Sequence, residues 1–309
     1  MFIEQAFRGK HDFWLYLVGS LIVALAAVIG QIPLTVAIFL ENGWEASMMS
    51  QSQMMQSLDP NLLIFLLLLS FAVGFIGLKI ALKYLHHINF MTITTTRKKV
   101  DWGRILLGFG LIAVFSSVSI LIDYQSNPEN YVWNFKPIPF LILCLIAIVM
   151  VPIQTSIEEY LFRGYLMQGF GVLAKNKWFP LMMTSIIFGL LHIANPEVDK
   201  LGYLILFFYI GTGLFLGIIT LMDEGMELAL GFHAGNNLVG IILVTANWTA
   251  FQSESLLKDV AEPTIGFDVF LPLLIVYPIF FIIMAKTYKW KNWKEKLFGK
   301  VETPAEIIN

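Results

Sequence analysis

From Pro137 to Ile157 the chain runs without one charged side chain and then reads "EEYLFR", two glutamates and an arginine in quick succession. An uncharged apolar run of that length, at about 1.5 Å per helical residue, crosses a hydrocarbon core of roughly 30 Å. Such runs recur along the chain. In lipid every backbone donor and acceptor must be satisfied within the segment, so a spanning run has to be helical or part of a closed barrel. No ten-residue alternating pattern of the barrel kind occurs. The expected fold is therefore all-α, a polytopic transmembrane helical bundle of about eight spans: 12–40, 61–85, 103–123, 137–158, 178–195, 201–221, 226–246 and 267–286.

Composition agrees. Of the 309 residues, 57% are hydrophobic and 14% charged, with a mean hydropathy of +0.73, outside the range of an ordinary soluble domain. The net charge of −2 and the placement of lysines at segment ends leave no basic face for nucleic acid. Cys144, the single cysteine, lies in an apolar run, which excludes a disulfide framework. Arg8 and Lys10 precede an apolar stretch containing Ala24 to Ala26, a pattern shared with cleaved signals. The run continues to Leu40, longer than a signal core of about 7–15 residues, so it reads as a retained first span.

Charge also orients the chain. The linker from Glu41 to Pro60 has acids and no Lys or Arg, whereas Arg97, Lys98, Lys99 and Arg104 crowd the next one. The tail from Lys286 to Lys300 adds six lysines and two tryptophans. The positive-inside rule then places both termini in the cytoplasm. Lys175 and Lys177 mark a cytoplasmic turn, and a cavity opening to that face is expected. Three divisions follow: N-terminal helices and loops over 1–130, a core over 131–250, and a last span with a basic tail over 251–309.

Ionisable residues inside spans are costly, roughly 2.5–3.5 kcal/mol each at the centre of a helix, and so point to a site or to a structural pair. Glu159 and Arg163 stand four apart with the acid first, the favourable order for an ion pair on a helix, which leaves Glu158 free on a neighbouring face. In "FGLLH", Phe188 and His192 share a helical face. In "GFHAGNN", His233 and Asn237 do the same, and Gly231 and Gly235 form a pair that lets another helix approach closely. Each group has a structural reading as interfacial charge or interhelical hydrogen bonding. Together they form a hydrolytic set: Glu158 to take a proton from water, His192 to orient it, His233 and Asn237 to stabilise an oxyanion.

The ordered set EExxxR, FxxxH and HxxxN, between about Pro152 and Val244, resembles the CPBP family of intramembrane proteases, the type II CAAX prenyl endopeptidases and their bacterial relatives linked to bacteriocin processing and immunity. The resemblance implies Glu158 and His192 as the water-activating pair, His233 and Asn237 as oxyanion donors, and Glu159, Arg163 and Phe188 in support. It implies hydrolysis of a peptide bond in a membrane-associated protein or peptide, with a prenylated CAAX-like substrate on the eukaryotic branch, and lipid as surroundings. No cofactor is expected. If the reaction uses zinc, Glu158, His192 and His233 are its ligands, although no HExxH motif is present. Short loops suggest a bacterial inner-membrane protein. The rival reading is a non-catalytic binding, immunity or transport protein that uses the same polar cavity.

Overall fold

A computed structural model describes residues 1–303. It is a helical membrane bundle in which each of the eight expected segments is helical. The helices used below are α1 (Phe13–Asn42), α2 (Pro60–Ile80), α3 (Trp102–Ser126), α4 (Pro137–Glu159), α5 (Met167–Ala174), α6 (Trp178–Leu190), α7 (Ile205–Asp223), α8 (Glu227–Leu243) and α9 (Tyr277–Thr287). Among the described residues, five helices are long and apolar enough to cross a membrane, and the apolar helices Trp178–Ala194 and Pro272–Thr287 are shorter. Helix α8 has 17 residues. The outward face of α1 presents Leu17, Leu21, Leu25, Val28 and Ile32, a continuous apolar surface suited to lipid.

Local chemistry accounts for the helix limits. Pro60 opens α2 behind Asp59, whose side chain accepts from the backbone N–H of Asn61 and Leu62, and Asp101 caps α3 through Gly103. The expected boundary at 158 does not exist. Helix α4 runs through a π-helical turn, Tyr160–Leu166, into α5, giving 38 continuous residues from Pro137 to Ala174. The chain turns at Lys175, where the backbone adopts a left-handed conformation with φ of 54°, so the turn inferred from its lysines is present. Lys177 is not a surface charge there: it is buried and pairs with Glu4 at 3.2 Å.

The helices alternate in direction and divide the molecule into two ends. At the basic end the start of α1 meets the chain after α2, with Lys10 N–H donating to the His86 carbonyl. There Arg97 bridges Asp223 and Glu227, and the Lys177 N–H donates to the Gly299 carbonyl of the tail. At the other end lies a three-stranded sheet absent from the sequence reading: β1 (Tyr131–Trp133) antiparallel to β3 (Leu257–Asp259), and β3 parallel to β2 (Val244–Ala246). Three-residue strands carry too little alternation to be legible in sequence.

Glycines set the closest helix contact. Gly231 of α8 faces Ile105 of α3, where a Cβ would clash with the Ile105 carbonyl oxygen. Gly108 of α3 returns the close approach, since a Cβ there would clash with the Leu228 carbonyl oxygen. The Gly231/Gly235 pair is thus a true packing face, and it draws α3 against the helix that bears His233 and Asn237. Gly231→Ala is expected to destabilise the fold by about 1–3 kcal/mol through overpacking, seen as a lower thermal midpoint in detergent. Gly240→Ala, where a Cβ meets nothing within 4 Å, should leave that midpoint unchanged.

Candidate active site

The π-helical turn after Glu159 carries Arg163 into the interior, where both side chains are fully buried and Arg163 Nη1 donates to Glu159 Oε1 at 3.0 Å. Arg163 Nη2 donates to the Gly213 carbonyl at 3.2 Å, and the guanidinium lies 4.3 Å from the centroid of the Phe188 ring. Three helical elements are tied by one cation. Gly213 thus supplies an acceptor from α7, and it lies against Ser185 of α6.

His233 joins this pair. Its Nδ1 is 2.8 Å from Glu159 Oε1, and a carboxylate oxygen accepts, so Nδ1 carries the hydrogen. Nε2 is then directed at the other glutamate, 3.4 Å from Glu158 Oε2. The two adjacent carboxylates are therefore unlike. Glu159 is consumed by Arg163 and His233, while the Glu158 side chain remains 18% exposed and lines a cavity of about 730 Å³.

His192 lines the same cavity, at the point where α6 tightens into the 3₁₀ turn Leu191–Ala194. Its Nδ1 lies 2.8 Å from the Phe188 carbonyl oxygen. A carbonyl can only accept, so the neutral ring holds its hydrogen on Nδ1 and leaves Nε2 as a lone-pair acceptor. Tyr209 stacks on the imidazole, with centroids 4.2 Å apart and planes at 21°, fixing its tilt. Phe188 packs against both histidines, 4.8 Å from His192 and 6.1 Å from His233.

Asn237 sits one turn beyond His233, but its amide is engaged: Nδ2 donates to Gln154 Oε1 at 3.1 Å, and Oδ1 accepts from Asn236. His233 and Asn237 line a smaller cavity of about 80 Å³, with His192 forming part of both walls. The structure thus gathers every predicted residue around one level of the bundle, with Glu158 and His192 on one side and His233 and Asn237 on the other. It adds Gln154 and Tyr209, which the sequence reading passed over. Gln154 had a visible signal, an amide one helical turn before Glu158 inside an uncharged run.

The large cavity does not open where the sequence suggested. It is lined towards the sheet end by Thr35, Ile38, Met54, Met55 and Phe251, far from the turn at Lys175. Towards the basic end Tyr16, His86 and Tyr165 close the bundle in a buried aromatic cluster. Beside the mouth Glu197 accepts from the Ala250 N–H at 2.8 Å, and burial pushes its carboxyl above the usual range. Among the described residues no three His, Cys, Asp or Glu side chains converge on a point that could hold a metal ion. Glu158, His192 and His233 do not converge as such a group.

Residues 137–239 match the model of the Rce1-like family, described as type II CAAX prenyl endopeptidase Rce1-like. The matched segment covers one third of the chain. It begins at the first residue of α4, ends just after Asn237, and contains all the site residues above. The Rce1-like match indicates a membrane protease of CAAX type. An uncharacterized protein, YyaK of Bacillus subtilis (strain 168), is 29% identical over 239 residues, covering 77% of this chain and 80% of the relative. No solved structure matches.

The buried pair at the centre of the matched segment yields a test of stability. Arg163→Met strands Glu159 as an uncompensated interior carboxylate, expected to cost about 3–5 kcal/mol. Detergent-solubilised protein should unfold at a much lower denaturant concentration, whereas Glu158→Gln, which leaves the pair intact, should not shift the midpoint.

Proposed function

We propose that the protein is an intramembrane endopeptidase that hydrolyses a peptide bond of a membrane-associated protein or peptide with water activated by Glu158. The observation that carries the reading is the division of labour between the two glutamates. Glu159 is spent on Arg163 and His233, and Glu158 alone reaches the cavity, beside a histidine whose Nε2 is an acceptor.

In this reading a water held between Glu158 and His192 Nε2 gives a proton to Glu158 as its oxygen attacks the carbonyl carbon. The carbonyl π pair moves to oxygen, and donors on the His233 and Asn237 side stabilise the resulting negative charge. Collapse restores the carbonyl and breaks the C–N bond, and the proton on Glu158 passes to the leaving nitrogen. His233, held by Glu159 through Nδ1 and 3.4 Å from Glu158, is placed to share that proton. Glu158 and His192 are the only ionisable side chains in the cavity wall among the described residues, which favours an apolar substrate segment. A prenylated CAAX-like substrate remains part of the proposal because of the family match.

Charge supports a sidedness. Arg97, Lys98, Lys99, Arg104 and the lysines of the tail lie at the basic end, whereas Lys136, Lys200 and Lys258 are the only lysines or arginines at the sheet end among the described residues. With the basic end cytoplasmic, as proposed for both termini, the cavity is entered from the opposite leaflet or its surface. In a Cys144→Ser background, Ser47→Cys should react with a membrane-impermeant maleimide added to intact cells and Lys98→Cys should not. The reverse pattern would overturn this orientation.

Purified protein in detergent should cleave members of a mixed set of fluorogenic lipidated and unlipidated peptides. Glu158→Ala and His192→Ala should each reduce turnover at least 100-fold, in the range of general-base effects of about 10²–10⁴, and a chelator should leave it unchanged. Absence of turnover by folded wild-type protein across the set would favour the binding or immunity role.

A further inference from the structure

Resting on the hydrolase reading above, we propose that the smaller cavity is a water site that resupplies the hydrolytic position, and that Thr212 and Tyr277 are positioning residues whose hydroxyls hold its water. Hydrolysis consumes one water in each turnover. An apolar segment seated in the large cavity displaces solvent from it, so the replacement has to be held on another side of the site. The smaller cavity, of about 80 Å³, shares Phe188 and His192 with the large one. At about 30 Å³ per molecule it has room for about two waters.

Its wall supplies polar partners from three helices. His233, Asn236 and Asn237 come from α8, and Thr212 comes from α7. Tyr277, the first residue of α9, completes the wall from outside the segment matched by the family model. It is 4% exposed, and its ring is fixed, stacked on Phe215 with centroids 4.6 Å apart and set edge-on to Phe232. That places its hydroxyl 3.2 Å from Thr212 Oγ1, and neither hydroxyl has another hydrogen-bond partner among the described residues. Two hydroxyls carry two hydrogens and the bond between them uses one, so one is left over whichever way the bond runs. A buried donor needs an acceptor, and a water in the cavity supplies it. A cavity of this size ringed by several polar groups holds ordered water, whereas an apolar one stays dry. When the water between Glu158 and His192 is consumed, one from the smaller cavity moves past the His192 ring to take its place. The water-activating pair and the oxyanion donors keep the roles given above.

Brief X-ray radiolysis of wild-type protein in detergent, read by mass spectrometry, tests for the water without relying on activity. Bound water beside a ring promotes its oxidation, so Tyr277 should be labelled well above Tyr16 and Tyr165, which are similarly buried and line neither cavity. Thr212→Leu, which fills the cavity, should abolish the excess. On a peptide that the wild-type protein cleaves, Thr212→Val and Tyr277→Phe keep shape and remove one hydroxyl each. In each, kcat should fall about tenfold, the factor of one hydrogen bond of ordinary strength, and Thr212→Leu should lower it further. KM should stay nearly unchanged in all three, because neither residue lines the large cavity, whereas Ala27→Phe, which obstructs that cavity, should raise KM. Labelling of Tyr277 no greater than that of Tyr16, or near-wild-type kcat in a folded Thr212→Leu variant, would overturn the proposal and leave the hydrolase reading intact. Labelling at Tyr277 in a wild-type protein that cleaves no peptide would overturn the supply role together with that reading.

Discussion

The buried contact of Arg163 with Glu159 is the interaction on which the rest of the interior depends. An arginine with no exposed surface has to recover its lost hydration from fixed partners. It does so with a carboxylate on its own helix, a carbonyl on α7 and the face of Phe188 on α6. The π-helical turn makes this reach possible, since widening the helix by one residue re-aims the side chains that follow Glu159. The same cation thereby decides the chemistry of its neighbours. By occupying Glu159 it leaves one glutamate of the adjacent pair for the cavity, and Glu159 Oε1, which it shares with His233, fixes that imidazole's hydrogen on Nδ1.

Two backbone features then place the histidines. Helix α6 is short, and its 3₁₀ turn at Leu191–Ala194 delivers His192 at the level of Glu158. Helix α8 reaches the centre of the bundle because Gly231 and Gly235 allow it to ride on the backbone of α3. A side chain at Gly231 would push His233 and Asn237 away from Gln154 and the glutamates, so packing and chemistry meet at a position that carries no functional group. The exposed apolar stripe on α1 completes the arrangement from outside, since only a lipid surrounding makes a bundle with so polar a centre and so apolar a rim stable.

Much of this was legible in the residues. Uninterrupted apolar runs fixed the helical class, and the i, i+4 spacing of Glu159 and Arg163 already implied the pair and a free Glu158. The spacing of the glycines implied a close helix contact, though not which helix would make it. What escaped was whatever depends on relations between distant segments. The continuation of α4 past Glu158 was hidden because charges there look like the end of a span. The sheet of Tyr131–Trp133 and Leu257–Asp259 joins segments far apart in sequence. Lys177 looked like an interfacial charge because nothing local reveals that Glu4, at the other end of the chain, buries it. The side on which the cavity opens was misjudged for the same reason: the lysines at the turn identify an end of the bundle, but the aromatic packing of Tyr16, His86 and Tyr165 closes it.

That closure changes what the site asks of a substrate. The wall on the open side is mostly apolar, with no charged side chain among the described residues lining it there, so a charged chain end entering it would lose hydration without finding an opposite charge. An apolar segment gains from the same burial, at roughly 25 cal/mol per Å² of surface removed from water or headgroup contact. At the closed end that gain meets Glu158 and His192, where the only polar groups an extended apolar chain must present are those of its own backbone. Selection by such a cavity acts on the hydrophobicity of the segment, and the few polar side chains at its base are left to choose the bond.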